Sequence, residues 1–247
     1  MKFSCLILFL FTSLPLVWAD DLTGNSGKTE PPKPSVVQLD EDRFQIGQVI
    51  FNKKFREIRF PTVVNLTEGA LEYFVVHENG KVHESLLATK ISPTDLNLAF
   101  TLLKYRPSQE LYPLPNGTGG VSGELTVVAP EVKAAARIQI HVEWDDQGKL
   151  KKLPANEWIQ HSVRTTSMPA GPWVYSGSDF NSGVYVPESS GDIVAIYLSM
   201  ASVINYPGAD YQNDDVWIPF TERIPPEGTP VTLIISPNTT SKNLPTP

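Results

Sequence analysis

Three consecutive residues with side chains that can take part in acid–base or nucleophilic chemistry, His83, Glu84 and Ser85, follow an Asn-Gly pair. A histidine, a carboxylate and a hydroxyl are the groups that many hydrolases use. The alternation of this segment places Glu84 among apolar side chains, which would raise the pKa of its carboxyl group and suit a general acid/base. The alternative is a structural Glu84 that pairs with His77 or with a backbone amide.

The pair Asn79-Gly80 between two apolar runs is typical of a two-residue β-hairpin turn. In such a hairpin His77 and His83 point to opposite faces, so they would not bind one metal ion together. His83 and Ser85 share a face, but neighbours on one strand project in parallel and do not converge. A serine–histidine–carboxylate triad is therefore disfavoured.

An acidic turn in the second half of the chain contains Asp210, Asp214 and Asp215. Their carboxylates could supply hard oxygen ligands to calcium. The spacing does not match an EF-hand loop, and a solvated acidic turn explains the same residues. These three aspartates remain candidate metal ligands, but the sequence indicates no cofactor.

Aromatic residues are dense in the second half and lie among serine, asparagine and aspartate. Aromatic rings beside hydroxyl and amide groups suit the stacking of sugars or peptides. Core filling is the default role for most of these rings. We expect Trp173 and Trp217 to be exceptions, because polar loop residues flank each of them, and we add Ser176 as a third candidate ligand-binding residue.

The first nineteen residues have the three parts of a secretory signal peptide. Lys2 supplies a positive start, Cys5–Val17 is an apolar run, and Ala19 is a small residue at the cleavage position. The mature chain would begin near Asp20 as a secreted or periplasmic protein. An uncleaved anchor is the alternative, but the run contains Pro15 and is shorter than the about 20 residues that a spanning helix needs.

Cleavage would remove Cys5, the only cysteine in the chain, so no disulfide or thiolate site would remain. It would also leave no integral membrane segment. The chain carries a formal net charge of -7, which argues against binding nucleic acid through bulk charge. A glycan, a peptide or an envelope protein remain as candidate partners.

The chain divides by composition into arms and a body. Residues 20–35 are polar and proline-rich, as expected of a disordered linker, and residues 236–247 form a similar tail. We expect one domain over residues 36–235. The long loop 107–123 could divide this domain into two lobes. Short alternating runs, with 22 prolines and 16 glycines, predict an α+β, β-rich fold of antiparallel sheets.

One helix is clearly indicated over about 92–104. Ser92 can cap it, Pro93 suits its first position, and the apolar stripe that follows predicts burial against a sheet. A second, short helix is predicted for about 199–205. The alternation of Arg137–Trp144 predicts a half-buried strand.

Five segments in order along the chain resemble the YdjY-type domain. They are LEYFVVHENGKVHESLLAT (Leu71–Thr89), SPTDLNLAFTLL (Ser92–Leu103), MPAGPWVYSGSDF (Met168–Phe180), DIVAIYLSMASVINYPGADYQNDDVW (Asp192–Trp217) and IPPEGTPVTLII (Ile224–Ile235). The resemblance implies a bacterial exported protein with a single domain. Domains of this type have no assigned activity, so no catalytic residue is carried over.

The sequence therefore favours an exported binding or structural module of the cell envelope over an enzyme. The alternative is a hydrolase or metal-assisted enzyme that acts on an envelope polymer, with Glu84 as acid/base and His83 or the aspartates assisting. If the segments around these residues converge in the fold, a cleft lined by His83, Glu84, Trp173, Ser176, Asp210 and Asp215 would be the default site of the protein.

The export interpretation makes a prediction about the mature protein. When it is produced in a bacterial host, we expect its N-terminus to be Asp20 and its mass to lack residues 1–19. The processed chain should not react with a thiol reagent, since Cys5 would have left with the signal peptide. A full-length, thiol-reactive protein in the cytosolic fraction would contradict the prediction.

Overall fold

The computed structural model describes residues 35–238. The predicted signal peptide, nearly all of the predicted linker, and the tail beyond Asn238 lie outside the described residues. The described strands are β1 (Val36–Gln38), β2 (Arg43–Ile46), β3 (Val49–Asn52), β4 (Glu57–Val64), β5 (Tyr73–His77), β6 (Ser85–Thr89), β7 (Pro113–Pro115), β8 (Val121–Leu125), β9 (Arg137–Asp146), β10 (Lys149–Pro154), β11 (Ile159–His161), β12 (Trp173–Tyr175), β13 (Phe180–Asn181), β14 (Val184–Tyr185), β15 (Asp192–Ala195), β16 (Ile204–Asn205), β17 (Trp217–Pro219) and β18 (Pro230–Pro237). The helices are α1 (Pro93–Leu102), α2 (Pro130–Ala135) and α3 (Val186–Ser190).

The fold is β-rich, with one sheet of twelve strands. Eight of them follow the order β4-β18-β9-β12-β16-β15-β5-β6, and β6 pairs with β4 again, so this part of the sheet closes on itself. Strands β1 to β3 extend the sheet from β4, and β10 pairs with β9. The helices are few and short, so the α+β expectation holds only in its coarser form, a mainly β protein. No helix among residues 35–238 has both the length and the apolar character needed to cross a membrane.

Strand β9 shows why alternating segments form the closed sheet. Its even-numbered residues Ile138, Ile140, Val142 and Trp144 are buried, while the residues between them are partly exposed. This is the period-2 pattern that the sequence predicted. Strand β18 pairs with β9 over six residue pairs and with β4 over six more, so it lies at the centre of the antiparallel part.

Helix α1 confirms the predicted helix. Ser92 caps it by accepting a hydrogen bond from the backbone amide of Asp95 at 3.3 Å, and Pro93 occupies the first turn. The buried Phe100 stacks on Tyr175 of β12 with ring centroids 4.1 Å apart. This contact packs the helix against the sheet.

The predicted second helix over 199–205 is wrong. Ser202 donates its amide to the carbonyl of Ser199 in a turn, and the chain then enters β16. The carbonyl of Val203 accepts bonds from Ser176 and Gly177. Pairing with neighbouring strands therefore uses the backbone groups that a helix would need.

The predicted hairpin at Asn79-Gly80 is also wrong. Strands β5 and β6 run parallel, with Tyr73 opposite Ser85 and His77 opposite Thr89. A crossover that contains a 3₁₀ turn, Val82–Glu84, joins them. The sequence predicted antiparallel sheets, but the observed sheet contains two parallel pairs, β5–β6 and β15–β16, among antiparallel neighbours.

Two smaller boundaries also differ from expectation. The loop 107–123 contains β7 and the start of β8, which pair as a small antiparallel sheet. Strand β18 continues through Pro237, so Ser236 and Pro237 belong to the sheet and not to the tail.

The crossover packs closely against the start of β15 because Gly80 and Gly191 lack side chains where they meet. A Cβ atom on Gly191, whose φ is +79°, would lie 2.8 Å from the Cα of Gly80. Gly191 ends α3 and immediately precedes β15. The close approach therefore holds the crossover against the start of β15.

This contact predicts different effects for two glycine substitutions. Gly148, with φ +84°, has open space around it, so Gly148→Ala should cost only the ~1 kcal/mol of a left-handed backbone. Gly191→Ala should cost a further ~2 kcal/mol because its methyl group meets backbone. Chemical denaturation of both variants measures the difference, and equal losses would contradict the proposed contact.

Candidate functional site

Glu84 lies at the end of the crossover, in a group of charged side chains. Its carboxylate is 3.4 Å from the ammonium of Lys81 and 3.8 Å from Nε2 of His83. Lys81 also lies 3.7 Å from the carboxylate of Glu72. The amide of Glu72 donates to the carbonyl of Glu84, which fixes the crossover beside the start of β5. Glu84 is therefore paired with Lys81 and not with His77.

The group continues into the protein through Tyr73. Lys81 donates a hydrogen bond to the Tyr73 hydroxyl at 3.1 Å, and Tyr73 donates to Oδ2 of Asp192 at 3.0 Å. The Ser199 hydroxyl donates to the same oxygen at 2.8 Å. Asp192 is 3% exposed, and its Oδ1 has no hydrogen-bond partner in the described structure. A water molecule or ligand that donates a hydrogen bond would satisfy that oxygen.

The same hydrogen-bond chain reaches the residues around β16. The amide of Ser199 donates to Oδ1 of Asn205 at 3.0 Å, and Nδ2 of Asn205 donates to the Ser176 hydroxyl at 3.0 Å. Two residues that the sequence singled out, Glu84 and Ser176, are thereby connected. We call this set the Asp192 network; it consists of Glu72, Tyr73, Lys81, Glu84, Asp192, Ser199, Asn205 and Ser176.

Electrostatics within the Asp192 network favour charge pairing over proton transfer. Burial and the neighbouring Glu84 raise the pKa of Glu72. Burial and the nearby Asp192 raise the pKa of Tyr73 to about 12. Burial acts to lower the pKa of Lys81, but its hydrogen bond to Tyr73 and the charge of Glu84 outweigh burial and raise it. At neutral pH Lys81 is thus a cation and Tyr73 a neutral hydroxyl, so neither is a ready base.

The remaining residues of the His83–Ser85 segment do not converge. His83 is exposed, and Ser85 is fully buried with its hydroxyl donating to the carbonyl of Leu87 at 2.8 Å. No hydrogen bond joins His83 to Ser85 in the described structure. The geometry therefore offers no activated serine at this position.

Both candidate tryptophans lie in the core. Trp173 is 0% exposed and donates its indole N–H to Asn156, and Trp217 is 1% exposed. Both rings pack against Tyr206, at centroid distances of 5.5 and 5.8 Å. Ser176 is buried as well. These three residues form part of the interior, where no ring face is open to a sugar or peptide.

The acidic turn divides into separate parts. Asp210 is 3.0 Å from the guanidinium of Arg164 and 3.5 Å from Nε2 of His161. Asp214 and Asp215 are exposed, and no contact joins Asp210 to His83 in the described part of the chain. Among residues 35–238 no three histidine, cysteine, aspartate or glutamate side chains are placed to hold one metal ion.

A cleft that the sequence reading missed lies beside the edge strand β10. Its volume is about 360 Å³, within the range of small-ligand sites. Lysine side chains of β10 form one wall, and the 3₁₀ turn Thr221–Arg223 forms the other. We call it the β10 cleft; it is lined by Trp144, Lys151, Lys152, Leu153, Glu222 and Arg223. The available signal was the lysine- and leucine-rich segment KLKKL, residues 149–153, after the turn Asp145–Gly148.

The walls of the β10 cleft are held by defined contacts. Lys151 lies opposite Trp144 in the strand pair, with its ammonium 6.0 Å from the indole centroid and 2.5 Å from Asp146. Arg223 is held by Glu157 and by the Ser167 hydroxyl. A second cavity, between β4 and β6, has a volume of only about 160 Å³.

The geometry thus defines a class of protein. It is a β-rich domain in which part of the sheet closes on itself, with an internal polar network and a surface cleft at a strand edge. The model of the YdjY domain matches residues 49–236, and the chain belongs to this family. The family assignment confirms the resemblance seen in the sequence. No curated protein and no solved structure matches the chain.

The raised pKa of Glu72 predicts a pH-dependent stability change. Its charged form is disfavoured in the folded state, so its contribution to stability falls as pH rises through the raised pKa and is restored below the unfolded value. Glu72→Gln should therefore raise the melting temperature at pH 7 and leave it unchanged near pH 3.5. Thermal denaturation at both pH values checks this, with the exposed Glu227→Gln as control. A lower melting temperature for Glu72→Gln at pH 7 would refute it.

Proposed function

We propose that this protein is a binding module of the bacterial cell envelope that holds a glycan, peptide or protein partner in the β10 cleft. The observation that carries the proposal is the composition of that cleft. Trp144 and Leu153 contribute apolar lining, and Lys151, Lys152 and Arg223 contribute cationic groups. Apolar surface beside a few charged groups can hold a ligand and fix its orientation.

The contacts of Glu84 weigh against the alternative of a hydrolase. An acid/base must exchange a proton with substrate, and Glu84 is held between Lys81 and His83. Ser85 is buried, and the three aspartates of the acidic turn do not converge. Each charged group of the Asp192 network on the solvent side already has a partner of opposite sign within the protein.

The location in the envelope rests on the leader-like first nineteen residues and on the family to which the chain belongs. A net charge of -7 supports a partner other than nucleic acid. The proposal therefore combines an extracytoplasmic domain with a surface cleft and assigns it no chemical step.

Trp144 gives the proposal an intrinsic reporter. We expect fragments of peptidoglycan, polysaccharide or peptide that enter the cleft to change tryptophan emission, because Trp144 lines it. Trp144→Phe should abolish that change while calorimetry still detects binding. Trp217→Phe, which alters a buried ring that does not line the cleft, should retain it.

Two results would count against this site. A fluorescence change that persists in Trp144→Phe and disappears in Trp217→Phe would move binding to the interior. Absence of heat and of fluorescence change with every probe would leave the domain without a ligand at the β10 cleft and would refute the binding role.

A further inference from the structure

We propose that β10 binds an extended acidic peptide by accepting it as an additional strand. The inference rests on the proposed function, because it names the partner of the same cleft. Strand β10 pairs with β9 alone among the described strands. Its other edge therefore offers the outward-directed amides and carbonyls of alternate residues along Lys149–Pro154, a length of about 20 Å, with no N–H from Pro154. Edges of this kind are where extended peptides add to sheets.

The charge of β10 is opposite to that of the protein as a whole. Residues 35–238 contain sixteen basic and twenty-four acidic residues, and three of the sixteen are Lys149, Lys151 and Lys152 of this one strand. Lys151 is paired with Asp146. Lys149 and Lys152 take part in no ion pair within the described residues. These two ammonium groups are available to an acidic partner, whereas the cleft itself contributes one carboxylate, Glu222.

The same lysines exclude a second copy of the chain as the occupant. Pairing β10 with β10 would bring lysines opposite or diagonal to lysines, and like charges on paired strands are destabilising. Lysine on an edge strand is a common protection against self-pairing. An acidic segment is not repelled by these lysines. The charge of β10 therefore disfavours pairing with a second β10 and favours a strand of opposite charge.

The lining of the cleft favours a peptide over an acidic glycan. Stacking of a sugar needs an open aromatic face, but Trp144 is only 5% exposed. Lys151 and Leu153 lie opposite Trp144 and Val142 in the strand pair and share their face of the sheet. An added strand would place alternate side chains on that face and the others beside Lys152. Backbone hydrogen bonds supply affinity, and the lysines select acidic side chains.

The test uses a labelled glutamate-rich peptide as the probe, with the mature full chain. Its glutamates occupy adjacent positions, so that both faces of the added strand carry carboxylates, because Lys149 and Lys152 lie on opposite faces of β10. Reversal of two charges in Lys149→Glu/Lys152→Glu should weaken binding about tenfold at low salt. The matched control is Lys53→Glu/Lys54→Glu, which reverses two adjacent exposed lysines on the turn between β3 and β4. The control should bind within about twofold of the unaltered chain. Lys149→Ala/Lys152→Ala should give an intermediate loss.

Amide hydrogen exchange separates strand addition from contact by side chains alone. Bound peptide should slow exchange at residues 149–153, because the outer amides of β10 would enter a new ladder. Equal weakening by both charge-reversed pairs, or binding without slower exchange at β10, would overturn strand addition. An acidic oligosaccharide that changes Trp144 emission while the peptide does not bind would also overturn it, and would leave the proposed binding function standing.

Discussion

The chain must travel from the end of β5 to the start of its parallel neighbour β6 within the segment Glu78–Glu84. Parallel neighbours are usually connected by a dozen or more residues. Here the amide of Gly80 bonds to the carbonyl of His77 at 2.8 Å, and the crossover passes against Gly191. This compact return places Lys81 beside Tyr73. It also leaves the far edge of β6 available to pair with β4, so both the closure of the sheet and the Asp192 network depend on it.

The two polar regions of the molecule differ in what they leave unpaired. In the Asp192 network, the ammonium of Lys81 is shared between two glutamates and a tyrosine hydroxyl. Its charges are balanced inside the protein, which suits a structural connection between the crossover and the loop that holds Ser199. On β10, by contrast, two lysines face solvent without an internal partner. Recognition of a charged ligand needs uncommitted groups, and β10 has them.

Local patterns in the sequence were sufficient for elements whose contacts are local or strictly periodic. The cap at Ser92 and the alternation of β9 predicted α1 and a long strand, and the structure contains both. The pair Asn79-Gly80 predicted a hairpin because turn signals do not report which strand comes to lie alongside. The crossover packs against Gly191, which is distant in sequence, and a local turn signal cannot report such a contact.

Burial was the other property that local reasoning could not supply. Trp173 and Trp217 are flanked by polar residues in sequence, yet both lie beneath the surface against Tyr206. The Lys149–Pro154 strand was missed for the opposite reason, since four of its six residues are lysine or proline and its apolar signal is weak. Only its pairing with the strongly periodic β9 makes it a strand.

The ring of strands is joined at β4 and β6 by two residue pairs, Val63 with Ala88 and Val64 with Leu87, whereas β18 meets each of its neighbours over six. Bonds from Thr89 to the Pro61 carbonyl and from the Asn65 amide to Leu86 reinforce this short seam. A sheet under mechanical load parts first where the fewest bonds share the force. The joints β9–β12, β12–β16 and β15–β16 also have two residue pairs each. A load on this domain would therefore open the ring at one of these four short joints, and turn a closed structure into an open ribbon, before β18 separates from β4 and β9.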